Sequence, residues 1–268
     1  MSRLQQSFDA FRAAGRRALL PYVTAGLPDV DTTLAILRRV DPQQCVCVEL
    51  GIPFSDPIAD GPVIQASFQA ALAAGFRVST LFDALRAARQ DIAIPLVAMV
   101  SYSIVYRCEP AQFVAAACAA GLDGLIVPDL AFEEADELAA ICHAQGCPLV
   151  MMVAPTTAAD RRTRIAALSE PFVYYQSLAG VTGERAALPP DLPVHVAELR
   201  KLTSKPICVG FGISTAEQVR AVCQVADGAI VGSAIVRRMH EGAARRLGRD
   251  ALAASVADFI GELAQGLL

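Results

Sequence analysis

The stretch CVCVELGIPFSDPIADGPVIQ, residues 45–65, contains one copy of the unit from which the whole chain is predicted to be built. Residues 45–50 are apolar apart from Glu49, which is typical of a strand that is covered on both faces. The prolines and glycines that follow predict a loop. An apolar helical pattern then begins at Val63, so the stretch has the order of one β/α unit.

The same order of strand and helix recurs along the chain. Runs rich in apolar residues are predicted as eight strands: Ala18–Thr24, Cys45–Leu50, Pro95–Ser101, Gly124–Val127, Pro148–Val153, Phe172–Ser177, Pro206–Val209 and Gly228–Val231. Helical patterns lie between them: Asp31–Val40, Val63–Ala74, Thr80–Gln90, Pro110–Ala120, Glu133–Gln145, Asp160–Ser169, Val194–Lys201 and Thr215–Val225. This alternation predicts an α/β fold, a (β/α)8 TIM barrel that forms one domain over residues 1–268.

Two further helices are predicted outside the repeated units. An amphipathic helix at Leu4–Ala14 precedes the barrel, and a closing helix lies at Ala251–Leu268. An open doubly wound sheet is the alternative fold. Its dinucleotide-binding form has the pattern GxGxxG after the first strand, whereas the residues here are Ala-Gly-Leu-Pro at 25–28.

Several helix ends can also be placed from local residues. Gly75, Gly121 and Gly146 each follow an apolar helical run, as glycines at helix C-termini do. Ser214 and Glu217 have the spacing of a capping box, which predicts the start of the helix after the seventh strand.

Composition and charge exclude several classes of function. The net charge is −4 and the pI is about 5.4, so a nucleic-acid partner is not expected. No apolar run is long enough to span a bilayer and no secretory signal is recognisable, so we expect no membrane association and a cytoplasmic location. The eight cysteines form no CxxC pair or His/Cys cluster. They are interpreted as reduced thiols, and neither a metal nor a cofactor is expected.

Carboxylates near the end of the second strand are candidates for acid–base chemistry. In a TIM barrel the active groups lie at the C-terminal ends of the strands, which is where Glu49 is predicted. Burial raises the pKa of a carboxyl group and lets it act as an acid and a base; a purely structural glutamate is the alternative. Asp60 in the next loop could face the same cavity with a different solvation. For Asp56 in that loop, ordinary turn chemistry is favoured.

Glycine-rich turns after two late strands predict a phosphate site. The run GFGIS at 210–214 follows the seventh strand, and Gly232-Ser233 follows the eighth. Barrel enzymes commonly bind phosphate between these two loops, where glycines let backbone N–H groups approach the anion and Ser233 adds a hydroxyl. The run Ala179–Gly183 after the sixth strand could close over the same phosphate. Simple turns are the alternative for each run taken alone.

Large side chains also fall at predicted strand ends, namely Tyr22, Val100, Tyr102, Tyr174, Tyr175 and Phe211. Core filling is the alternative for most of them, although a buried tyrosine hydroxyl needs a partner. The three histidines lie on predicted helices, and no lysine lies at the C-terminal end of a strand. Both observations argue against a nucleophile–histidine arrangement and against Schiff-base chemistry.

Seven segments together resemble the α subunits of tryptophan synthase over nearly the whole chain. They are LPYVTAGLPD (20–29), ELGIPFSDPIADGPVIQ (49–65), DGLIVPDL (123–130), APTT (154–157), SLAGVTG (177–183), GFGIS (210–214) and VGSAIV (231–236). The second segment is highly specific, and its combination with AGVTG and GFGIS identifies the family.

The resemblance implies a retro-aldol cleavage of indole-3-glycerol phosphate to indole and glyceraldehyde 3-phosphate. It implies that Glu49 is the general acid–base, that Asp60 holds the indole N–H, and that Thr182 closes onto Asp60. Tyr174 would help to order the substrate. The implied indole pocket consists of Tyr22, Ile64, Val100, Tyr102, Val127, Val153 and Phe211. The implied phosphate site consists of Gly183, Gly210, Gly212, Gly232 and Ser233.

The resemblance also implies a β-subunit partner in an α2β2 assembly. Family members usually carry Asn two residues after the tyrosine of the third strand, whereas this chain has Ile104. That loop belongs to the face that meets the β subunit in the family, so Ile104 weakens the expected contact. A neutral substitution is one interpretation, and a stand-alone lyase that works without a β subunit is the other.

Two alternatives belong to other classes of function. A phosphosugar isomerase barrel would share the phosphate site, but it does not explain the long loop at residues 53–62. A family member that only activates a β subunit, without catalysis, would not need to retain both Glu49 and Asp60.

Overall fold

The computed structural model describes residues 2–57, 60–177, 188–210 and 212–267. Its parallel sheet contains β1 (Ala18–Thr24), β2 (Val48–Gly51), β3 (Leu96–Met99), β4 (Gly124–Ile126), β5 (Leu149–Val150), β6 (Met152–Val153), β7 (Val173–Gln176), β8 (Ile207–Gly210) and β9 (Gly228–Val231). The spatial order is β5-β4-β3-β2-β1-β9-β8-β7-β6. The two edge strands are therefore consecutive in sequence, and the predicted eight-stranded TIM barrel is confirmed.

The barrel closes through a fifth strand that is interrupted at one residue. β5 pairs with β4 and β6 pairs with β7, and Met151 separates the two short strands. The Met151 N–H donates to Ser169 Oγ at 2.7 Å, and the Ser169 hydroxyl donates to the Phe172 carbonyl at 2.5 Å. Ser169 is fully buried, so one side chain supplies the hydrogen bond that a neighbouring strand would otherwise supply.

Helices surround the sheet and bury its outer face. They are α1 (Arg3–Ala13), α2 (Val30–Leu37), α3 (Pro62–Ala73), α4 (Val78–Ala88), α5 (Tyr102–Arg107), α6 (Pro110–Ala119), α7 (Ala135–Ala144), α8 (Ala159–Leu168), α9 (Leu192–Arg200), α10 (Ala216–Cys223), α11 (Ser233–Ala244) and α12 (Arg249–Ala264). Over the described parts of the chain, no helix is both long and apolar enough to cross a membrane.

A separate apolar cluster fills the inside of the barrel. Leu4, Phe8 and Phe11 of α1 pack against interior side chains such as Cys47 and Phe172, and the rings of Phe8 and Phe172 stack with centroids 4.9 Å apart. The predicted N-terminal helix therefore closes the barrel where its strands begin. The opposite end of the barrel is left for a site.

Several local predictions differ from the structure. Regular strand alternation over residues 45–50 predicts that Cys45 shares a face with Cys47 and Glu49. Cys45 instead packs in a different core cluster from Cys47, because the regular strand begins only at Val48. The predicted Ser214–Glu217 capping box is shifted: Thr215 is the N-cap of α10 and accepts from the Gln218 N–H.

The chain also contains a short helix that the sequence analysis did not place. It is α5, and it begins directly after β3 because the Ser101 hydroxyl caps it. In contrast, the three predicted helix-ending glycines are confirmed: Gly75, Gly121 and Gly146 have positive φ angles of 85°, 88° and 69°.

Candidate active site

A cavity opens at the C-terminal ends of the strands, where the chemistry of a TIM barrel is expected. It measures about 470 Å³, solvent at its mouth included. Its lining combines carboxylates, tyrosines, aliphatic side chains and glycines: Tyr22, Glu49, Asp60, Ile64, Met99, Tyr174, Gly212, Ile213, Ile230, Gly232 and Ser233.

Glu49 is the most unusual group in this lining. It lies on β2, in register with Tyr22 of β1 and Val97 of β3, and its side chain is fully buried. Neither of its carboxyl oxygens has a hydrogen-bond partner among the residues that the structure describes, although buried polar atoms are almost always paired. Burial raises the pKa of Glu49 well above its ordinary value. A carboxyl group in this state can hold a proton near neutral pH and exchange it with a ligand.

Asp60 faces the same cavity in a different environment. The Gln65 side chain at the start of α3 donates to the backbone carbonyls of Pro57 and Asp60, at 3.2 and 2.8 Å, and so fixes the end of the loop. Burial, and then the charge of Asp129, raise the pKa of Asp60 to about 6. At neutral pH, Asp60 is therefore mostly ionised, whereas burial favours the protonated form of Glu49, and the two carboxyl groups can take different roles.

Two tyrosines extend over glycines of the neighbouring strand. A β-carbon on Gly51 would lie 1.8 Å from the Tyr22 hydroxyl oxygen, and one on Gly210 would lie 2.4 Å from that of Tyr174. Tyr22 is in register with Glu49, two positions before Gly51, and Tyr174 is in register with Cys208, two positions before Gly210. The two arrangements are therefore equivalent. The Tyr22 hydroxyl is buried without a partner, as is Glu49 beside it. Both groups are therefore available to a bound ligand.

The other side of the cavity has the features of an anion site. Gly232 precedes α11, and Ser233 is the first residue of that helix, so the unpaired backbone N–H groups of its first turn lie at the cavity. Gly212 has a φ of +79°, a conformation that favours glycine. Gly210 does not line the cavity, because the ring of Tyr174 occupies the space beside its α-carbon.

The structure brings together only part of the predicted indole pocket. Tyr22, Ile64 and Tyr174 line the cavity with the two carboxylates, whereas Val127 and Val153 are buried and are not part of its described lining. Tyr102 lies half-buried at the start of α5. Thr182, Gly183 and Phe211 lie outside the described residues.

Another cavity adjoins the first one, and Val100 is part of its lining. It shares Asp60 and Met99 with the first cavity, and its lining also contains Val100, Asp56 and Asp129. Asp129 accepts hydrogen bonds from the Ser101 hydroxyl at 2.6 Å and from the Tyr102 N–H at 2.8 Å. The start of α5 therefore holds Asp129 in place, and the charge of Asp129 adds to the effect of burial on the pKa of Asp60.

Three lining residues were not predicted, namely Met99, Ile213 and Ile230. Met99 and Ile230 lie on β3 and β9, and strand alternation alone could have found both, since they follow interior-facing residues by two positions. The adjacent tyrosines of β7 show the same rule. Tyr174 faces the cavity, while Tyr175 faces outward and its hydroxyl lies 2.8 Å from Nδ1 of His195.

Within the described ranges, no group of three potential metal ligands is found.

Comparison with known families gives a consistent result over most of the chain. A family model described as tryptophan synthase alpha chain matches residues 8–265. A protein of Rhodopirellula baltica named tryptophan synthase alpha chain is 49% identical over 242 residues, which cover 89% of this chain and 87% of that protein. A protein of Opitutus terrae with the same name is 43% identical and covers 90% of this chain and 91% of its own length.

Solved structures are similar over the full length. A chain of tryptophan synthase from Mycobacterium tuberculosis, in an aminoacrylate-bound form, superimposes with a TM-score of 0.86 at 31% identity and covers 100% of both chains. Tryptophan synthase subunit alpha from Legionella pneumophila superimposes with a TM-score of 0.89 at 28% identity, covering 100% of this chain and 98% of that one.

Proposed function

This chain belongs to the tryptophan synthase alpha chain family, and from that premise we propose that its cavity cleaves indole-3-glycerol phosphate to indole and glyceraldehyde 3-phosphate. Membership makes the chain a lyase of tryptophan biosynthesis. The observation that assigns the reaction to this cavity is Glu49, a fully buried carboxyl group whose two oxygens have no partner in the same lining as Asp60 and Ser233.

Glu49 supplies both proton transfers of the proposed retro-aldol reaction. Its raised pKa favours the protonated form, which can protonate the indole ring carbon that carries the glycerol chain. The carbon–carbon bond then breaks, and its electron pair returns to the ring. The hydroxyl-bearing carbon of the glycerol chain becomes the aldehyde carbon. The proton of its hydroxyl group passes to Glu49, which restores the starting state.

Asp60 stabilises the positive charge that forms on the protonated ring. With a pKa of about 6 it is mostly anionic at neutral pH, and it accepts a hydrogen bond from the indole N–H. The proposed indole pocket lies between Tyr22, Ile64 and Tyr174, three residues of the cavity lining. Thr182, which would close onto Asp60, and Phe211, which would cover the ring, stay part of the proposal.

The phosphate is proposed to bind at the start of α11. Gly212, Gly232 and Ser233 lie on the same wall of the cavity, and the first turn of the helix offers backbone donors to a dianion. Gly183 is assigned to this site by the family motif alone. Gly210 is better described as the glycine that makes room for Tyr174.

A β subunit is proposed as the partner that uses the indole, in an α2β2 assembly. Helix α5 carries the side chains that favour this interface, since Tyr106 is 70% exposed and the centroid of its ring lies 6.0 Å from that of the Tyr102 ring. Ile104 is half-buried and packs on the outer core, so its exposed area is small. No described residue favours a stand-alone enzyme. A cytoplasmic location belongs to the same proposal.

Steady-state cleavage of indole-3-glycerol phosphate, measured with and without a β subunit, tests the reaction. Glu49→Gln should lower kcat by at least about a hundredfold while the substrate still binds, because an amide cannot transfer the proton. Glu170→Gln is the matched control, since Glu170 is exposed beside His143 at the other end of the barrel. Normal turnover by the Glu49 variant would exclude its proposed role.

Substrate affinity tests the phosphate site separately. Ser233→Asp places a negative charge at the start of α11 and should weaken binding by about tenfold or more, through repulsion of the phosphate. Ser79→Asp, at an exposed position near the start of α4, is the matched control. Equal affinities for the two variants would show that the phosphate binds elsewhere.

A further inference from the structure

A second cavity lies at the opposite end of the barrel, where β1, β8 and β9 begin. We call it the basal cavity, and it measures about 740 Å³ with the solvent at its mouth included. Its lining is Phe8, Phe11, Arg12, Gly15, Arg16, Arg17, Ala18, Arg200, Ser204, Pro206 and Asp227. The proposed reaction does not use this cavity, because Glu49 and Asp60 face the other end.

One carboxylate organises two of the arginines in the basal cavity. Oδ1 of Asp227 accepts from Arg17 at 3.0 Å, and Oδ2 accepts from Arg200 and from the Ile207 N–H. Arg200 also donates to the Lys205 carbonyl at 3.0 Å. Both oxygens of Asp227 are therefore in use, and the two guanidinium groups are fixed in the wall by bonds to the ends of two strands.

The other two arginines have no carboxylate partner among the residues that the structure describes. The guanidinium carbon of Arg16 lies 4.5 Å from the centroid of the Phe11 ring, and Arg12 lies one helical turn before it on α1. Asp9 accepts a hydrogen bond from Gln5. Asp9 and Arg12 both line a neighbouring cavity, whose lining also contains Glu170 and Lys205. Four positive charges thus face one negative charge, in a chain whose net charge is −4.

We propose that the basal cavity binds a phosphate dianion, either inorganic phosphate or the terminal phosphate of a small metabolite. A cleft lined by charges of one sign concentrates ions of the other sign. Guanidinium groups suit phosphate because they present paired N–H donors to two of its oxygens. The Ser204 hydroxyl adds a further donor, and Phe8 and Phe11 form an apolar part of the lining.

Titration of inorganic phosphate into the full chain carrying Ser233→Asp tests this site without interference from the other cavity. Binding is measured by calorimetry at constant ionic strength, with chloride replacing phosphate. We expect one saturable equivalent of phosphate. In the same experiment, amide signals of Gly15, Arg16 and Ala18 in a nitrogen-correlated spectrum should shift, which reports the location of the ion without any change in the basal cavity.

Two double variants then separate a built site from general attraction. Arg12→Ala with Arg16→Ala should weaken phosphate binding by at least about tenfold, the loss expected for one or two charge-assisted hydrogen bonds. Arg86→Ala with Arg161→Ala removes the same charge from exposed ion pairs elsewhere and should leave affinity unchanged. Phenyl phosphate that binds more tightly than inorganic phosphate would identify a phosphomonoester as the ligand, and equal affinity would identify the free ion.

The proposal is wrong if phosphate shows no saturable binding, if the two double variants lose affinity equally, or if the shifted amides lie away from the basal cavity. Because Ser233→Asp weakens phosphate binding in the other cavity and the shifted amides report where the ion lies, these outcomes do not depend on whether the chain cleaves indole-3-glycerol phosphate.

Discussion

At the scale of single residues, the candidate active site contains groups that oppose the stability of the fold. The two oxygens of Glu49 and the hydroxyl of Tyr22 are buried without partners, and each such group reduces stability relative to a paired one. A fold that needed only packing would have an apolar residue at position 49. The carboxyl group is retained in a place where it can act on a ligand.

The amount by which the buried Glu49 lowers the free energy of unfolding should depend on pH. Its folded-state pKa lies above the ordinary value of 4.5, so the stability that protonated Glu49 contributes is complete below pH 4.5 and is lost as pH rises toward the folded pKa. Glu49→Gln removes this loss. The variant's advantage in free energy of unfolding should therefore grow above pH 4.5, by up to about 1.4 kcal/mol per pH unit.

Urea denaturation of both proteins from pH 4.5 to 8 measures this difference. Glu262→Gln is the control, because Glu262 is exposed on α12 and its replacement should give a nearly constant difference across the series. A difference for Glu49→Gln that does not change with pH would mean that Glu49 is stabilised as an anion in the folded protein.

Gly51 determines where the Tyr22 ring can lie. Gly51→Ala should destabilise the protein by about 1–3 kcal/mol and lower turnover, because the new β-carbon would meet the Tyr22 hydroxyl oxygen at 1.8 Å and displace the ring. Chemical denaturation and steady-state kinetics measure the two effects. Gly248→Ala is the matched control, since nothing lies within 4 Å of a β-carbon there. A Gly51→Ala variant as stable as the unaltered protein would show that the Tyr22 ring can adopt another position.

At the scale of elements, α1 has a role that its sequence pattern does not reveal. Amphipathic spacing predicted the helix correctly, and its polar face is exposed. Its apolar residues, however, pack into the barrel and not against a neighbouring helix, since Leu4, Phe8 and Phe11 join the interior cluster. Periodicity indicates which face is buried, whereas only the assembled barrel shows what that face covers.

Truncating α1 at its main interior contact should destabilise the whole protein. Phe8→Ala is expected to lower the free energy of unfolding by about 3–5 kcal/mol, because Phe8 is 3% exposed and stacks on Phe172. Phe259→Ala is the control, because Phe259 of α12 is only half-buried beside Arg238. Its replacement should lower the free energy of unfolding by less. Equal losses for the two variants would mean that α1 does not support the barrel.

At the scale of the whole molecule, the barrel depends on the closure at its fifth strand. β5 and β6 each pair with one neighbour, and Met151 between them relies on Ser169 for its N–H partner. The sequence predicted one continuous strand over Pro148–Val153. The interruption could not be predicted, because it depends on a serine from the end of α8 that approaches in space.

Removing the Ser169 hydroxyl should weaken this closure. Ser169→Ala leaves the Met151 N–H and the Phe172 carbonyl without a buried partner and should cost about 1–3 kcal/mol. Thermal unfolding should remain a single transition at a lower midpoint. Ser79→Ala, at an exposed position on α4, should leave the midpoint nearly unchanged. A variant as stable as the unaltered protein would indicate that another donor or water replaces the hydroxyl.

The sequence by itself determined the α/β barrel, since alternating apolar strands and amphipathic helices have few other ways to bury both faces of a parallel sheet. It also placed Glu49, Asp60 and Ser233 in the site, because these residues follow strand ends that meet at one edge of the barrel. Only the tertiary structure decided that Val127 and Val153 are not part of the described lining of the cavity, that Gly210 receives the Tyr174 ring, and that arginines distant in sequence share a basal cavity. Such choices depend on strand register and on contacts between distant residues, which local patterns do not encode.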